Sequence, residues 1–211
     1  IVFIAWFVFS LPDPLFKNPT STVLFDKENN LLGARISSDG QWHFPHNDSV
    51  PEKFAKSIQY FEDEYFYKHP GINPVSLYRA LKQNIKARKI VSGGSTITMQ
   101  VIRLSRNGKP RTVWQKFIEC ILSVRVEIGY SKAEIIALYV SNAPFGGNVI
   151  GLDAAAWRYF GQTASNLSWS EAATLAVLPN APALIYPGKN KDELKRKRDF
   201  LLKKLLSKNI I

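Results

Sequence analysis

Three times in this chain a serine stands three residues ahead of a glutamate at the head of an apolar-periodic run: Ser49 with Glu52, Ser131 with Glu134, and Ser168 with Glu171. In such a box the hydroxyl accepts from the third helical N–H, and the carboxylate accepts from the serine's own N–H, so orphan donors at a helix start are satisfied locally. The boxes predict a helix from Ser49 to about Lys68, a second through Glu134–Val140, and a third from Glu171 that Pro179 stops. Two more helices follow from periodicity. Trp114–Ile128 places Phe117, Ile121, Leu122 and Val124 as its apolar set, and Lys191–Lys208 clusters five leucines against Lys and Arg. Before residue 49 the pattern changes. Ser21–Ile36 has apolar runs on both sides of Asp26-Lys27-Glu28-Asn29-Asn30, a hairpin signal, and Trp42-His43-Phe44 reads as extended. The fold class is mainly α with a short N-terminal β element, and no internal repeat interrupts it.

The chain opens on Ile1 to Phe9, nine residues without charge. At about 1.5 Å per residue this spans roughly half a bilayer core, and Ser10-Leu11-Pro12-Asp13-Pro14 reads as a helix stop. We expect residues 1–12 to be the end of a transmembrane helix in a longer protein, the chain beginning without Met. The formal net charge is +11, from 28 Lys and Arg against 17 Asp and Glu. So large an excess calls for an anionic partner. Gly71–Lys89 mixes Val75, Leu77, Tyr78, Leu81 and Ile85 with Arg79, Lys82, Lys86, Arg88 and Lys89, which suits either an ordinary amphipathic helix or a segment lying on anionic lipid. Nucleic acid is not the expected partner, because no recognition motif accompanies the charge. Cys120 is the lone cysteine, so no internal disulfide forms.

Three stretches could carry chemistry. In Phe61–Gly71, Glu62 follows Ile58 by four residues and precedes Phe66 by four, so all three would share one helix face. A carboxylate between apolar side chains is desolvated, which raises its pKa toward that of a useful base. In Ser92–Gln100, the glycine pair before Ser95 and Thr96 could turn backbone N–H groups toward an anion, or simply cap a helix. It is not a P-loop, since no Gly-Lys-Ser/Thr follows. In Arg111–Glu127, the cations Arg111, Lys116 and Arg125 surround Glu119. That pattern fits a structural ion network or a pyrophosphate site.

These stretches resemble the family 51 glycosyltransferases, the peptidoglycan transglycosylase domain of class A penicillin-binding proteins. EDEYFYKHPG (62–71) is similar to the family's Glu-Asp-x-x-Phe-x-x-His-x-Gly, and GGSTITMQ (93–100) to its Gly-Gly-Ser-Thr-Ile-Thr-Gln-Gln. SKAEIIALYVSNAPFG (131–146) and LSWSEAATLAVLPNAPALIYP (167–187) resemble its third and fourth conserved segments. The four fall in family order over about residues 20–190, and the details are most similar to its 1C subgroup. The sequence departs from the family at Met99, at Ala137, and at Gln115 and Ile118 flanking Lys116 and Glu119.

The resemblance implies a lysozyme-like fold with a membrane-associated lobe, a glycosyltransferase domain at 20–190, and a basic helix at 191–211 leading to a transpeptidase domain in the full-length protein. It implies lipid II and the growing glycan strand as substrates, on the outer side of the bacterial cytoplasmic membrane. Glu62 stands where the family has its base and Glu119 where it has its second glutamate. Asp63, Ser95, Thr96, Gln100, Arg103, Arg111, Lys116 and Arg125 fall where the family binds substrate. The sequence supplies no metal-ligand set of its own, and the resemblance implies Mg²⁺ or another divalent cation arriving with the substrate pyrophosphate. Two rival readings are a lysozyme-like hydrolase, which also uses paired carboxylates, and a non-catalytic lipid-binding module. No Ser-x-x-Lys and no Lys-Thr-Gly occurs, so no penicillin-type acylation is expected of this chain.

Overall fold

The computed structural model describes residues 2–28, 31–89, 93–106 and 112–211. The described residues form nine helices of eight residues or more, two single turns of 3₁₀ helix and four short strands, so the mainly α reading holds. The chain divides into two compact units, Ile1–Lys17 with Asp63–Ile136, and Asn18–Glu62 with Ala137–Ile211.

The first unit contains α1 (Val2–Phe9), α3 (Pro74–Ala87), α4 (Ile97–Ser105), α5 (Val113–Gly129) and the first turn of α6 (Lys132–Asn142). α4 packs on α5, and α1 also touches α5. Ile97, Met99, Val101, Ile102 and Val126 are fully buried at this core. α3 starts where Asn73 accepts from the Ser76 N–H and Pro74 takes the first helical position, which needs no donor. α5 starts at Thr112, whose hydroxyl accepts from Gln115 N–H. It runs one residue beyond the predicted Trp114–Ile128 at each end. α1 is apolar throughout, but no helix of the described residues is long and apolar enough to cross a membrane.

The second unit contains the hairpin β1 (Thr22–Phe25) with β2 (Leu31–Arg35), the parallel pair β3 (Trp42–His43) with β4 (Val149–Ile150), and helices α2 (Glu52–Glu62), α7 (Leu152–Phe160), α8 (Trp169–Ala176) and α9 (Lys191–Ser207). α2, α8 and α9 pack on one another. Ala172, Ala173 and Ala176 on α8 are fully buried, and side chains this small allow close helix approach. Leu201 and Leu205 bury the apolar stripe of α9, so this basic helix belongs to the core of the unit. Lys204 donates to the Tyr60 carbonyl at 2.6 Å, placing a cation over the last turn of α2.

Two of the three capping boxes form as predicted. Ser131 and Ser168 exchange bonds with Glu134 and Glu171. The box at Ser49 does not form. Ala55 N–H bonds to the Pro51 carbonyl, so Pro51 caps α2 and Glu52 is its first residue. Ser49 lies too early, its N–H given to the Asn47 side chain in a local turn. The other end of α2 also differs from expectation, at Glu62 rather than near Lys68.

Candidate active site

The reason α2 stops at Glu62 lies in the next residue. Asp63 is 7% exposed, and its carboxylate accepts from Ile97 N–H at 3.1 Å and from His69 Nε2 at 3.0 Å. Its own carbonyl accepts from Phe66 N–H, closing the turn that opens the 3₁₀ helix Phe66–Lys68. Phe66 therefore does not share a helix face with Ile58 and Glu62, as the spacing alone suggested. Glu62 is the half-buried last residue of α2, four positions after the fully buried Ile58.

Asp63, Phe66, His69 and Gly71 explain each other. Phe66 is fully buried, and His69 is held by Asp63. Gly71 has φ +86°, and a Cβ there would stand 2.7 Å from the Ser123 carbonyl oxygen, so only glycine fits. The Gly71 carbonyl accepts from Thr96 Oγ1 at 2.6 Å, while the same hydroxyl caps α4 by accepting from Met99 N–H. The anion that sits at the N-terminus of α4 is thus the protein's own Asp63. Of the two readings of the Gly-Gly-Ser-Thr turn, the helix cap is the one formed: Met99 N–H goes to Thr96 and Ile97 N–H to Asp63. Gly94 has a packing reason, since a Cβ would meet Leu77 Cα at 2.9 Å.

A second cluster in the same unit joins α4 to α5. Lys116 Nζ donates to Ser95 Oγ at 2.5 Å and to Glu119 Oε2 at 3.3 Å, with Met99 Sδ at 3.9 Å. Glu119 is 8% exposed. Burial pushes the Lys116 ammonium below its ordinary range, and Glu119 partly restores it. Arg103 reaches the Gln100 amide oxygen at 3.2 Å and adds a like charge that acts on Lys116. Ser95, Gln100, Arg103, Lys116 and Glu119 thus converge, with Thr96 capping the helix beneath them. The departures from the family pattern fit locally: Met99 is a buried contact of Lys116, and Ala137 is 1% exposed.

Arg125 does not join this cluster. It donates to the Val8 carbonyl at 3.4 Å, at the C-terminal end of α1. Arg111 lies outside the described residues. Sequence reasoning missed a third group. Glu127 accepts from Thr98 Oγ1 at 2.5 Å and from Lys132 Nζ at 2.8 Å. Lys132 also donates to the His69 carbonyl at 2.8 Å and lies 4.4 Å from the Phe66 ring centroid. No helical spacing announces this network, because Glu127 and Lys132 lie on different helices. The motif histidine was its only visible sign.

Among the described residues no three His, Cys, Asp or Glu side chains gather, and the Glu119 carboxylate already faces an ammonium.

The family model described as Transglycosylase matches residues 29–206. Penicillin-binding protein 1C of Escherichia coli (strain K12) is 37% identical over 195 residues, covering 92% of this chain and 25% of that protein. Penicillin-binding protein 1A of Aquifex aeolicus (strain VF5) is 33% identical over 215 residues, covering 100% of this chain and 29% of that protein. The chain therefore spans about a quarter of the length of the curated relatives it matches. The crystal structure of penicillin-binding protein 1A from Haemophilus influenzae aligns with a TM-score of 0.47 at 17% identity, covering 92% of this chain and 19% of that one. With the family model running along most of its length, the chain belongs to the transglycosylase family, the peptidoglycan glycosyltransferase domain of penicillin-binding proteins.

Proposed function

We propose that this domain polymerises lipid II, with Glu62 as general base and the Lys116 cluster as the pyrophosphate site. The observation that carries the reading is the half-buried Lys116 ammonium, set beside the Ser95 hydroxyl and Glu119 with Arg103 nearby. A phosphate oxygen entering there meets donors already oriented and poorly solvated, the condition under which charge stabilisation is strongest. Glu62 takes the proton from the acceptor sugar's 4-hydroxyl. That oxygen attacks C1 of the donor, the C1–O bond to the lipid pyrophosphate breaks, and the link inverts to β-1,4. Lys116 and Arg103 neutralise the departing pyrophosphate, while Glu119 holds Lys116 in place. A divalent cation arriving with the substrate pyrophosphate belongs to the same proposal.

The same unit exposes apolar side chains beside its cations. Phe9, Val75, Tyr78, Leu81, Ile85, Val113 and Trp114 are all exposed, which supports docking on the outer face of the cytoplasmic membrane where a lipid-linked substrate resides. A transpeptidase domain as partner in the whole protein belongs to the same proposal.

The test is turnover of labelled lipid II by the purified chain, read as polymer on a gel. Glu62→Gln lowers the rate by about 10²–10⁴, the usual worth of a positioned base. Turnover within tenfold of the parent removes Glu62 from that role. Shortened glycan in place of polymer would favour the hydrolase.

A further inference from the structure

We infer that the second unit carries a separate site for an uncharged oligosaccharide, in a cavity bounded by the β1–β2 hairpin, the segment after β3, and the end of α7. The cavity has a volume of about 660 Å³, within the usual range for small-ligand sites. All its lining residues belong to this unit. Phe25 of the hairpin and Trp157 of α7 supply apolar surface, and Asn47, Asp153, Thr163 and Asn166 supply polar groups.

The charge of the lining decides the ligand class. The chain has 28 Lys and Arg, yet among the described residues none lines this cavity, and its one imidazole, His46, lies 3.0 Å from the Asp48 carboxylate. A second site for pyrophosphate or an anionic headgroup would need the cations that this wall excludes. Its one carboxyl, Asp153, is held by Asn47 Nδ2 at 3.2 Å, and burial pushes it above the ordinary carboxylate range. Trp157 is half-buried and braced by Trp42 and Phe44, at centroid distances of 5.5 and 5.8 Å. A fixed indole beside amides, hydroxyls and a carboxyl of raised pKa suits a pyranose. Its C–H face packs on the ring, and its hydroxyls take groups that each donate and accept.

The occupant is an uncharged β-1,4-linked N-acetylated oligosaccharide, its linkage and acetamido groups being those of the strand this domain makes. That identification rests on the polymerase reading above, but the binding does not need turnover. The experiment titrates the full chain with β-1,4-linked N-acetylglucosamine tetramer and follows the indole N–H signals by NMR. The Trp157 signal shifts saturably, and inorganic pyrophosphate leaves it unmoved. Asn166→Ala, an exposed and structurally mild change, weakens binding about tenfold, as does Trp157→Ala where that variant folds. Glu62→Gln binds the tetramer like the parent, so a failure of the polymerase reading cannot pass for a failure of this one. No saturable shift of Trp157, equal affinity in Asn166→Ala, or response to pyrophosphate instead of saccharide would overturn the site.

Discussion

The His43 imidazole is buried in the second unit, and burial pushes it below its ordinary range. The bond from Nε2 to the Ser141 carbonyl at 3.0 Å and the charge of Asp39 offset this only in part. The folded value lies under the unfolded value of 6.5. The unfolded chain therefore takes up this proton first as pH falls, and stability present above 6.5 is lost as pH drops through the folded value. We expect a lower urea midpoint at about pH 5 than at about pH 7.5, and a smaller difference in His43→Gln, which can still donate to Ser141. An equal pH dependence in the variant would assign it to other groups. At this scale the sequence named residues whose contacts only the structure supplies. Asp63 stood in the motif as a substrate contact, yet its carboxylate is spent on His69 and Ile97. Arg125 stood near Glu119 in the sequence, yet its guanidinium caps α1.

At the scale of elements, Lys132 ties three pieces together: its own helix α6, Glu127 of α5, and the 63–71 segment through the His69 carbonyl. Lys132→Met would leave the Glu127 carboxylate, with 10% side-chain exposure, bonded only to Thr98 among these partners. The loss of charge-assisted bonds at such a site costs about 2–3 kcal/mol. Adding Glu127→Leu should recover part of it, because the stranded charge goes too. Chemical denaturation of the single and double variants checks both statements; a double variant weaker than the sum of the singles would refute the pairing. The element starts at Ser131 and Ser168 were legible because both halves of a capping box lie three residues apart. The false start at Ser49 has a local rival, the turn with Asn47, and the two compete for the same N–H.

Across the whole molecule, both units expose large apolar side chains, and the most exposed of those described lie in the first. The described residues of the first unit expose Phe9 at 83%, Val75 at 77%, Ile85 at 68% and Val113 at 89%. This is far more apolar surface than an isolated side chain or two would explain. Leu77, included in the apolar set from the sequence, is half-buried against Gly94 and does not contribute. Purified protein should co-sediment with anionic liposomes, less at high salt. Replacing Leu81 and Ile85 by Ser should weaken partitioning at least tenfold, since burying each side chain is worth about 1.5–3 kcal/mol. Unchanged sedimentation of that double variant would remove α3 from the contact.

The sequence by itself determined the helical class, most helix starts, the hairpin and the family, because each rests on information within a few residues or on motifs kept in order. α9 is a case in point: its leucine spacing marked the helix, but its packing on α2 needed neighbours more than a hundred positions away. The tertiary structure alone decided which motif side chains face each other. Lys116 meets Ser95 across 21 positions, Thr98 meets Glu127 across 29, and Asp63 meets Ile97 across 34. Such pairings carry no local periodicity, since they depend on how the turn at Gly71 brings the 63–71 segment against α4 and α5. The burial that shifts Lys116 and His43 is likewise a property of surrounding atoms, which no single stretch of sequence specifies.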